Sequence, residues 1–264
     1  MATLAMKFGG TSVGSPEAIE QTASIIEKSL ADGNRVVVVV SAMSGVTDML
    51  LKSAKAAVDG DKWTFMSIND EIREKHEEVI NRLIESGDLR DEITRDVDAL
   101  LKEHLELCEA ISILHEATPR ISDAVVSFGE RLSSRVIAQV IKSHGINAKQ
   151  YDSSDLILTN NNFQNAEPLW EETENRIRSR LVPEIEAGIT PIITGFIGAT
   201  PDGTITTLGR GGSDFVGAIF AAYIDSDELI IWTDVDGVMT TDPRIDKRAQ
   251  VLPYVSYQEV GELA

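Results

Sequence analysis

Residues 3–15 read TLAMKFGGTSVGS. The apolar first half predicts a strand over residues 3–8, and the paired glycines after it let backbone N–H groups approach an anion closely. Ser15, Pro16 and Glu17 then form a typical helix start, since Ser caps, Pro fits the first turn and Glu favours its positive end. This order of strand, glycine-rich loop and helix predicts an α/β protein with an anion site at the end of the first strand.

Lys7 stands at the end of that predicted strand, ahead of the glycines rather than behind them. The loop therefore matches neither a P-loop, which ends in Lys followed by Ser or Thr, nor the GxGxxG dinucleotide fingerprint. A lysine held by a strand is rigidly aimed, which suits contact with a transferring phosphoryl group. The alternative is a plain glycine turn beside a lysine whose stem lies along apolar surface.

Downstream, apolar runs of strand length alternate with helical periodicity, which predicts an α/β three-layer sandwich with a mainly parallel sheet flanked by helices. Residues 60–118 interrupt this alternation, and their periodicity predicts a helical insertion of two or three amphipathic helices. The predicted strands are 3–8, 35–41, 123–128, 148–152, 190–197 and 228–234. The helices predicted between them are 16–33, 45–58, 130–144, 170–187 and 213–224.

Candidate ligand-binding residues follow the strands, because ligands in such folds bind at the carboxyl ends of the strands. Ser41, Ser44 and Thr47 follow the second strand. Their hydroxyls suit a polar substrate group, but Ser and Thr are also common caps, and Ser44 is predicted to cap the next helix. Glu130 would open a helix after residues 123–128, either as a ligand for a substrate ammonium or as an acid favoured by the helix dipole.

Two later segments are also rich in groups that bind ligands. Residues 207–214, TLGRGGSD, surround Arg210 with glycines. Arginine pairs with carboxylates and phosphates, and a turn alone does not require this combination. Residues 233–244, TDVDGVMTTDPR, are dense in carboxylates and hydroxyls. They suit a ribose, a Mg²⁺ ion or phosphates, although Asp-Gly and Asp-Pro also signal turns.

The composition narrows the function classes. The 264-residue chain is 42% hydrophobic and has a net charge of −19, so it is a poor candidate for binding nucleic acid. No stretch approaches the ~20 apolar residues of a membrane span, and residues 1–4 do not begin a signal peptide. Cys108 is the only cysteine, which excludes an internal disulfide and a cysteine-based metal cluster. We therefore expect a cytoplasmic protein that binds neither nucleic acid nor a membrane.

Six segments, in a fixed order along essentially the whole chain, resemble the amino acid kinase family and, within it, the aspartokinases. They are residues 6–13 (MKFGGTSV), 40–47 (VSAMSGVT), 127–133 (SFGERLS), 194–196 (TGF), 209–214 (GRGGSD) and 233–238 (TDVDGV). The resemblance implies the amino acid kinase fold. It also implies transfer of a phosphoryl group from ATP, with Mg²⁺, to the side chain of L-aspartate, the first step towards lysine, threonine and methionine.

The resemblance further implies residue roles. Lys7 would contact the transferring phosphate and Asp214 would position Lys7, which makes these two the catalytic residues. Glu130 would bind the ammonium of the substrate and Arg210 its α-carboxylate. The other substrate-binding residues would be Ser41, Thr47 and Ser213. The nucleotide-binding residues would be Lys7, Gly9, Gly10, Ser12, Thr233, Asp234, Gly237, Met239, Asp242 and Arg244. No metal ligand is assigned to the protein, since Mg²⁺ would be held by the ATP phosphates.

Two departures from the family pattern stand out. Met239 replaces an aromatic residue near the base, and the sequence stops at Ala264, before a Phe-Gly-Ala-Lys segment and paired ACT regulatory domains. We therefore expect residues 1–264 to be an isolated catalytic domain, in which the part up to about residue 195 binds the amino acid and residues from about 196 to 264 bind the nucleotide. The family usually dimerises, so we expect a homodimer of the full-length enzyme.

Two alternatives stay open. One is a related kinase that acts on acetylglutamate, glutamate or a nucleotide, although residues 127–131 and the helical insertion favour aspartate. The other is a domain that binds nucleotide or amino acid with little activity, because the lysine of the Phe-Gly-Ala-Lys segment is missing.

Overall fold

The computed structural model divides the chain into two units, residues 1–232 and residues 233–264. It describes residues 1–235, 237–242, 245–256 and 258–259. The strands of the first unit are β1 (Thr3–Phe8), β2 (Arg35–Val40), β3 (Ala148–Tyr151), β4 (Thr190–Thr194), β5 (Ile197–Ala199), β6 (Ile205–Thr207) and β7 (Glu228–Trp232). The helices are α1 (Pro16–Ala31), α2 (Val46–Val58), α3 (Lys62–Leu83), α4 (Asp88–Leu114), α5 (Pro119–Ser143), α6 (Trp170–Arg180), α7 (Val182–Glu186) and α8 (Gly212–Tyr223).

The central sheet has five parallel strands in the order β3-β4-β2-β1-β7, and β5 and β6 form a separate antiparallel pair. In the register, Phe8 pairs with Val40 on one side and with Trp232 on the other. The carboxyl ends of β1, β2 and β7 therefore lie at the same level, where an α/β sheet binds its ligands.

Helices cover both faces of this sheet, because β2 is apolar at every position after Arg35 and side chains alternate between the faces of a strand. Val36, Val38 and Val40 pack into the core shared with α1 to α5, and Val37 and Val39 into the core shared with α6 to α8. The predicted three-layer sandwich with a mainly parallel sheet is confirmed. Among the described residues, no helix combines the length and the hydropathy needed to cross a bilayer.

Local signals placed several elements correctly. Ser15 caps α1, since its hydroxyl accepts a hydrogen bond from the N–H of Ala18 over 3.3 Å. The helical insertion predicted over residues 60–118 is confirmed as α3 and α4, which pack against α2 and α5. The insertion therefore thickens one helical layer.

The strand predicted over residues 123–128 is wrong, because these residues belong to α5. Residues 125–130 are all buried, and this short run of consecutive buried residues resembles a strand although α5 as a whole is amphipathic. The helix starts where Thr118 accepts a hydrogen bond from the N–H of Ile121 over 3.3 Å, just before Pro119.

Smaller corrections concern element ends. Ser44 is not the cap of α2: the N-cap is Gly45, with a φ of 82° and no side-chain hydrogen bond. The helix predicted over residues 170–187 is divided at Leu181, two residues before Pro183, into α6 and α7. The strand predicted to reach Ile197 ends at Thr194, because Phe196 has a left-handed φ of 64°. The strands predicted to reach Ser41 and Asp234 end at Val40 and Trp232.

Candidate active site

A cavity of about 560 Å³ opens at the carboxyl ends of β1 and β2, between α5 and the start of α8. Most of the residues predicted to bind substrate or phosphate line it. These are Lys7, Gly10, Ser41, Thr47, Glu130, Arg210, Ser213 and Asp214. Gly9 and Ser12 lie in the loop that follows β1 but outside the lining of this cavity.

Lys7 projects from the end of β1 towards the start of α8. Its Nζ atom lies 2.6 Å from Oδ1 of Asp214, in the first turn of that helix. Lys7 is only 8% exposed, whereas 49% of the Asp214 side chain is accessible. The geometry therefore gives a rigidly held cation with one anionic partner at the edge of the cavity, where a second anion can approach it.

Hydrogen bonds hold the glycine-rich loop against its neighbours. The Gly9 N–H donates to the carbonyl of Trp232 over 3.1 Å, and the Ser44 N–H donates to the carbonyl of Gly10 over 3.1 Å. The Ser12 hydroxyl lies 3.5 Å from the same Trp232 carbonyl. The Gly9 amide is thus engaged at the end of β7, and direct anion binding by it would require that hydrogen bond to break.

Glu130 lies in the middle of α5, not at a helix start as the sequence had indicated. It reaches the cavity because α5 approaches the loop after β2 very closely: a Cβ added at Gly129 would lie 2.7 Å from the Cβ of Ala42. Only glycine permits this approach without displacing the loop. The helix dipole therefore does not explain why an acid occupies this position.

Glu130 is 4% exposed, and burial raises the pKa of its carboxyl to about 8, although hydrogen bonding from the Ala42 backbone and the charge of Lys7 act in the opposite direction. Its Oε2 atom is buried and has no hydrogen-bond partner among the residues that the structure describes. A buried carboxyl with one free oxygen in a cavity wall is a suitable receptor for a ligand cation.

Arg210 lies on the turn between β6 and α8. Its neighbours Gly209 and Gly211 have φ values of 75° and 73°, a left-handed conformation that favours glycine. Within the described part of the chain, Arg210 forms neither a hydrogen bond nor an ion pair, so its guanidinium is available to an anion. Ser213 follows in the first turn of α8, whose positive end also favours an anion.

The cavity is also lined by Thr207, at the start of the segment 207–214, and by three polar residues that no sequence pattern indicated: Ser122, Asp123 and Gln164. Asp123 and Glu130 are seven residues apart, about two helical turns, and therefore lie on one face of α5. Had residues 123–128 been interpreted as helical, this spacing would have indicated both acids. Gln164 has no comparable signal, since it comes from a loop distant in sequence.

The predicted nucleotide-binding residues after Trp232 belong to the second unit. There the Thr233 hydroxyl donates to Oδ1 of Asp234 over 3.1 Å, and Met239 forms an antiparallel bridge with Val251. Gly237 and Asp242 lie in the same segment, while Arg244 lies outside the described residues. The nucleotide-binding roles of these residues stay predictions.

The sequence model of the amino acid kinase family matches residues 2–264. The chain belongs to the amino acid kinase family. It is 33% identical over 258 residues to lysine-sensitive aspartokinase 3 of Escherichia coli. The aligned region covers 98% of this chain and 55% of that protein. It is 36% identical over 268 residues to the chloroplastic aspartokinase 1 of Arabidopsis thaliana, covering 99% of the chain and 45% of the relative.

Solved structures agree with this family. One match is the crystal structure of E. coli aspartokinase III in complex with aspartate and ADP (R-state). It has a TM-score of 0.88 and 32% identity, and the match covers 100% of this chain and 56% of the aspartokinase chain. The same enzyme with lysine and aspartate (T-state) matches with a TM-score of 0.82 and 30% identity. This member of the amino acid kinase family spans about half the length of these aspartokinases.

Proposed function

We propose that this chain is the catalytic part of an aspartate kinase, which transfers the γ-phosphoryl group of ATP to the side-chain carboxylate of L-aspartate and releases ADP. One observation carries the proposal. A single cavity brings together the buried Lys7, the unpartnered oxygen of Glu130 and the unpaired guanidinium of Arg210. The similarity to a crystallised aspartokinase that holds aspartate and ADP supports this choice of substrates.

The two ends of the substrate would be recognised by opposite charges. The ammonium group of aspartate would bind the free oxygen of Glu130, and its α-carboxylate would pair with Arg210. Ser41, Thr47 and Ser213 also line the cavity and offer hydroxyls to the remaining polar atoms. A ligand must carry both charges to satisfy both groups, so the site would select an amino acid.

The reaction needs no general base, because a side-chain carboxylate with a pKa of about 3.9 is already ionised at neutral pH. The obstacle is repulsion between this anion and the phosphates. Lys7, held by β1 and by Asp214, would neutralise the charge of the transferring group, and the positive end of α8 would add to its effect. Catalysis would therefore depend mainly on positioning and on fixed positive charge.

Mg²⁺ would accompany the nucleotide rather than occupy a site built by the protein. Among the described residues, no group of three or more His, Cys, Asp or Glu side chains is arranged to hold a metal ion. Bound to the ATP phosphates, Mg²⁺ would neutralise part of their charge. The residues proposed to bind the nucleotide, from the resemblance to aspartokinases, are Lys7, Gly9, Gly10, Ser12, Thr233, Asp234, Gly237, Met239, Asp242 and Arg244.

The proposal extends to the context of the enzyme. The part up to about residue 195 would contribute most of the amino acid site and residues from about 196 onward the nucleotide site, with Arg210 and Ser213 as exceptions that also bind aspartate. The complete protein would act as a cytoplasmic homodimer at the first step towards lysine, threonine and methionine. The names of the relatives support a role in amino-acid synthesis.

A comparison of acceptors tests this function. ADP release and trapping of the acyl phosphate as a hydroxamate should be measured with aspartate, glutamate and N-acetylglutamate. We expect both signals with aspartate and little with the other two. Turnover with glutamate or N-acetylglutamate alone would identify a different kinase of the family. Calorimetric binding of ATP and aspartate without any ADP release would identify a binding domain instead.

A further inference from the structure

Asp123 lies in the cavity wall, about two turns of α5 before Glu130, and phosphoryl transfer as described above makes no use of it. The residue is 1% exposed. Its Oδ1 atom accepts a hydrogen bond from the Thr207 hydroxyl over 2.9 Å. Its Oδ2 atom accepts from the N–H of Thr207 over 3.0 Å and from the N–H of Gln164 over 2.9 Å.

These hydrogen bonds join α5 to two segments that are distant in sequence. Gln164 has a φ of 70°, a left-handed conformation that is costly for a residue with a side chain and that the bond to Asp123 helps to hold. Thr207 ends β6, three residues before Arg210, and its carbonyl accepts a hydrogen bond from the Ala166 N–H over 2.9 Å. Asp123 thus fixes the base of the turn that carries Arg210.

The Arg210 turn is held at its base and its flanks rather than through Arg210 itself: besides the hydrogen bonds to Asp123, the Leu208 N–H donates to the Phe196 carbonyl over 3.0 Å. Arg210 lies between two glycines in left-handed conformations and has no side-chain partner within the described part of the chain. Glu130, by contrast, projects from the same rigid helix as Asp123. The distance between the two charged groups that recognise the amino acid is therefore set in part through Asp123.

We propose that Asp123 is a positioning residue that ties the Arg210 turn to the helix of Glu130 and thereby helps to set the length of amino acid that the cavity accepts. The inference rests on the proposed aspartate kinase function. Protein donors already engage both oxygens of the carboxylate, which favours a structural acceptor over a general base.

The hydrogen-bonding pattern provides a matched pair of variants. In Asp123→Asn the amide oxygen can accept from the two backbone N–H groups, and the amide nitrogen can donate to the Thr207 hydroxyl, which then acts as acceptor. All three hydrogen bonds can persist without the charge. In Asp123→Ala they are lost. A positioning role predicts rescue by asparagine, whereas a role that needs the charge does not.

Steady-state kinetics with aspartate, glutamate and ATP test the proposal. For Asp123→Ala we expect the KM for aspartate to rise by about 10-fold or more and the preference in kcat/KM for aspartate over glutamate to fall, with the KM for ATP changed less than about 2-fold. Asp123→Asn should stay within about 3-fold of the unmodified chain. Thr207→Val keeps the backbone hydrogen bond to Asp123 and should raise the KM for aspartate by about 2- to 5-fold. If Asp123→Ala does not fold, this variant tests the positioning role instead.

Three outcomes would overturn the inference. They are an unchanged KM and acceptor preference in Asp123→Ala, an Asp123→Asn enzyme that is folded but as impaired as Asp123→Ala, and an unfolded Asp123→Ala together with an unaffected Thr207→Val. If one of these outcomes is found while the unmodified chain phosphorylates aspartate normally, the inference fails and the proposed function stands. Absence of aspartate phosphorylation by the unmodified chain would overturn the proposed function and this inference with it.

Discussion

Two buried polar regions in the helical layer differ in how their hydrogen bonds are satisfied. In the cavity wall, one oxygen of Glu130 has no hydrogen-bond partner in the described part of the chain. In the core between α2, α3 and α4, both ring nitrogens of His104 are engaged, Nδ1 lying 2.9 Å from Oδ1 of Asn69 and Nε2 lying 3.0 Å from the hydroxyl of Ser53. Both ionisable groups are buried, but only Glu130 faces a cavity large enough for a ligand.

Hydrogen bonding, protonation and accessibility together distinguish a binding group from a structural one. The His104 cluster has the composition of a catalytic triad, with Ser53, Asn69 and the nearby Cys108, yet burial lowers the pKa of His104 to about 4 and raises that of the Cys108 thiol to about 11. Ser53, His104 and Cys108 have no exposed surface. The cluster is neutral, its hydrogen bonds are satisfied within the protein, and a substrate cannot reach it. Its role is therefore to hold α2, α3 and α4 together.

An unpartnered atom alone does not mark a binding site. Nε2 of His76 is also buried and has no hydrogen-bond partner among the described residues, but His76 does not line the cavity. Glu130 combines three properties: a free oxygen, a carboxyl whose pKa burial raises, and a place in the cavity wall. The three together indicate a group that is completed by a ligand.

The largest effect on activity is expected at Lys7, on the cavity side of this comparison. Lys7→Ala removes the fixed cation beside the transferring phosphoryl group, so kcat should fall by about 10²–10³ with a much smaller rise in the KM for aspartate. The control is Lys149→Ala, since Lys149 forms an equally short ion pair with Glu184, on the surface. Near-normal turnover in Lys7→Ala would refute the role of this lysine.

A smaller effect on activity is expected at Arg210. Arg210→Ala removes the partner of the substrate α-carboxylate, so the KM for aspartate should rise by about 10- to 100-fold while the KM for ATP changes little. Arg178→Ala, which removes an exposed arginine paired with Asp225, should leave both constants unchanged. Unchanged affinity for aspartate by calorimetry would contradict the assignment.

The smallest effect on activity is expected at His104, on the structural side. His104→Ala removes the contacts of the ring with Ser53 and Asn69, although the Ser53 hydroxyl still donates to the Leu50 carbonyl, and it creates a cavity in the core. The free energy of unfolding in urea should therefore fall by about 2–4 kcal/mol. The kinetic constants of the folded fraction should stay within about 2-fold of normal. A selective loss of turnover in a variant of normal stability would place His104 in the catalytic machinery and contradict its structural role.

Much of the fold follows from local patterns. Ser15-Pro16 marks the start of α1, the valines of β2 indicate a strand buried on both faces, and the periodicity of residues 60–118 predicts α3 and α4. The order of the strands does not follow from such patterns. It depends on the face of the sheet over which each connecting helix passes, and this is a property of the tertiary structure. β7 follows β6 in sequence yet pairs with β1, at the opposite end of the sheet from β3.

The candidate site shows the same limit. Lys7 and Arg210 could be identified because unusual glycines surround them. Glu130 was identified, but at the start of a helix rather than in the middle of α5, because the run of buried residues before it resembles a strand. Asp123 was missed for the same reason. The free oxygen of Glu130 depends on how α5 packs against the loop after β2, and therefore on tertiary structure.

The most direct test of the account is proton release when aspartate binds. Burial gives Glu130 a pKa of about 8 in the ligand-free chain, so at pH 7 the carboxyl is mostly protonated; a substrate ammonium favours the ionised form and expels the proton. Titration calorimetry in two buffers of different ionisation enthalpy should show the release of close to one proton at pH 7, far less at pH 9, and none in Glu130→Gln. Aspartate binding without proton release at pH 7, or equal release in Glu130→Gln, would contradict the assignment of Glu130 as the ammonium receptor.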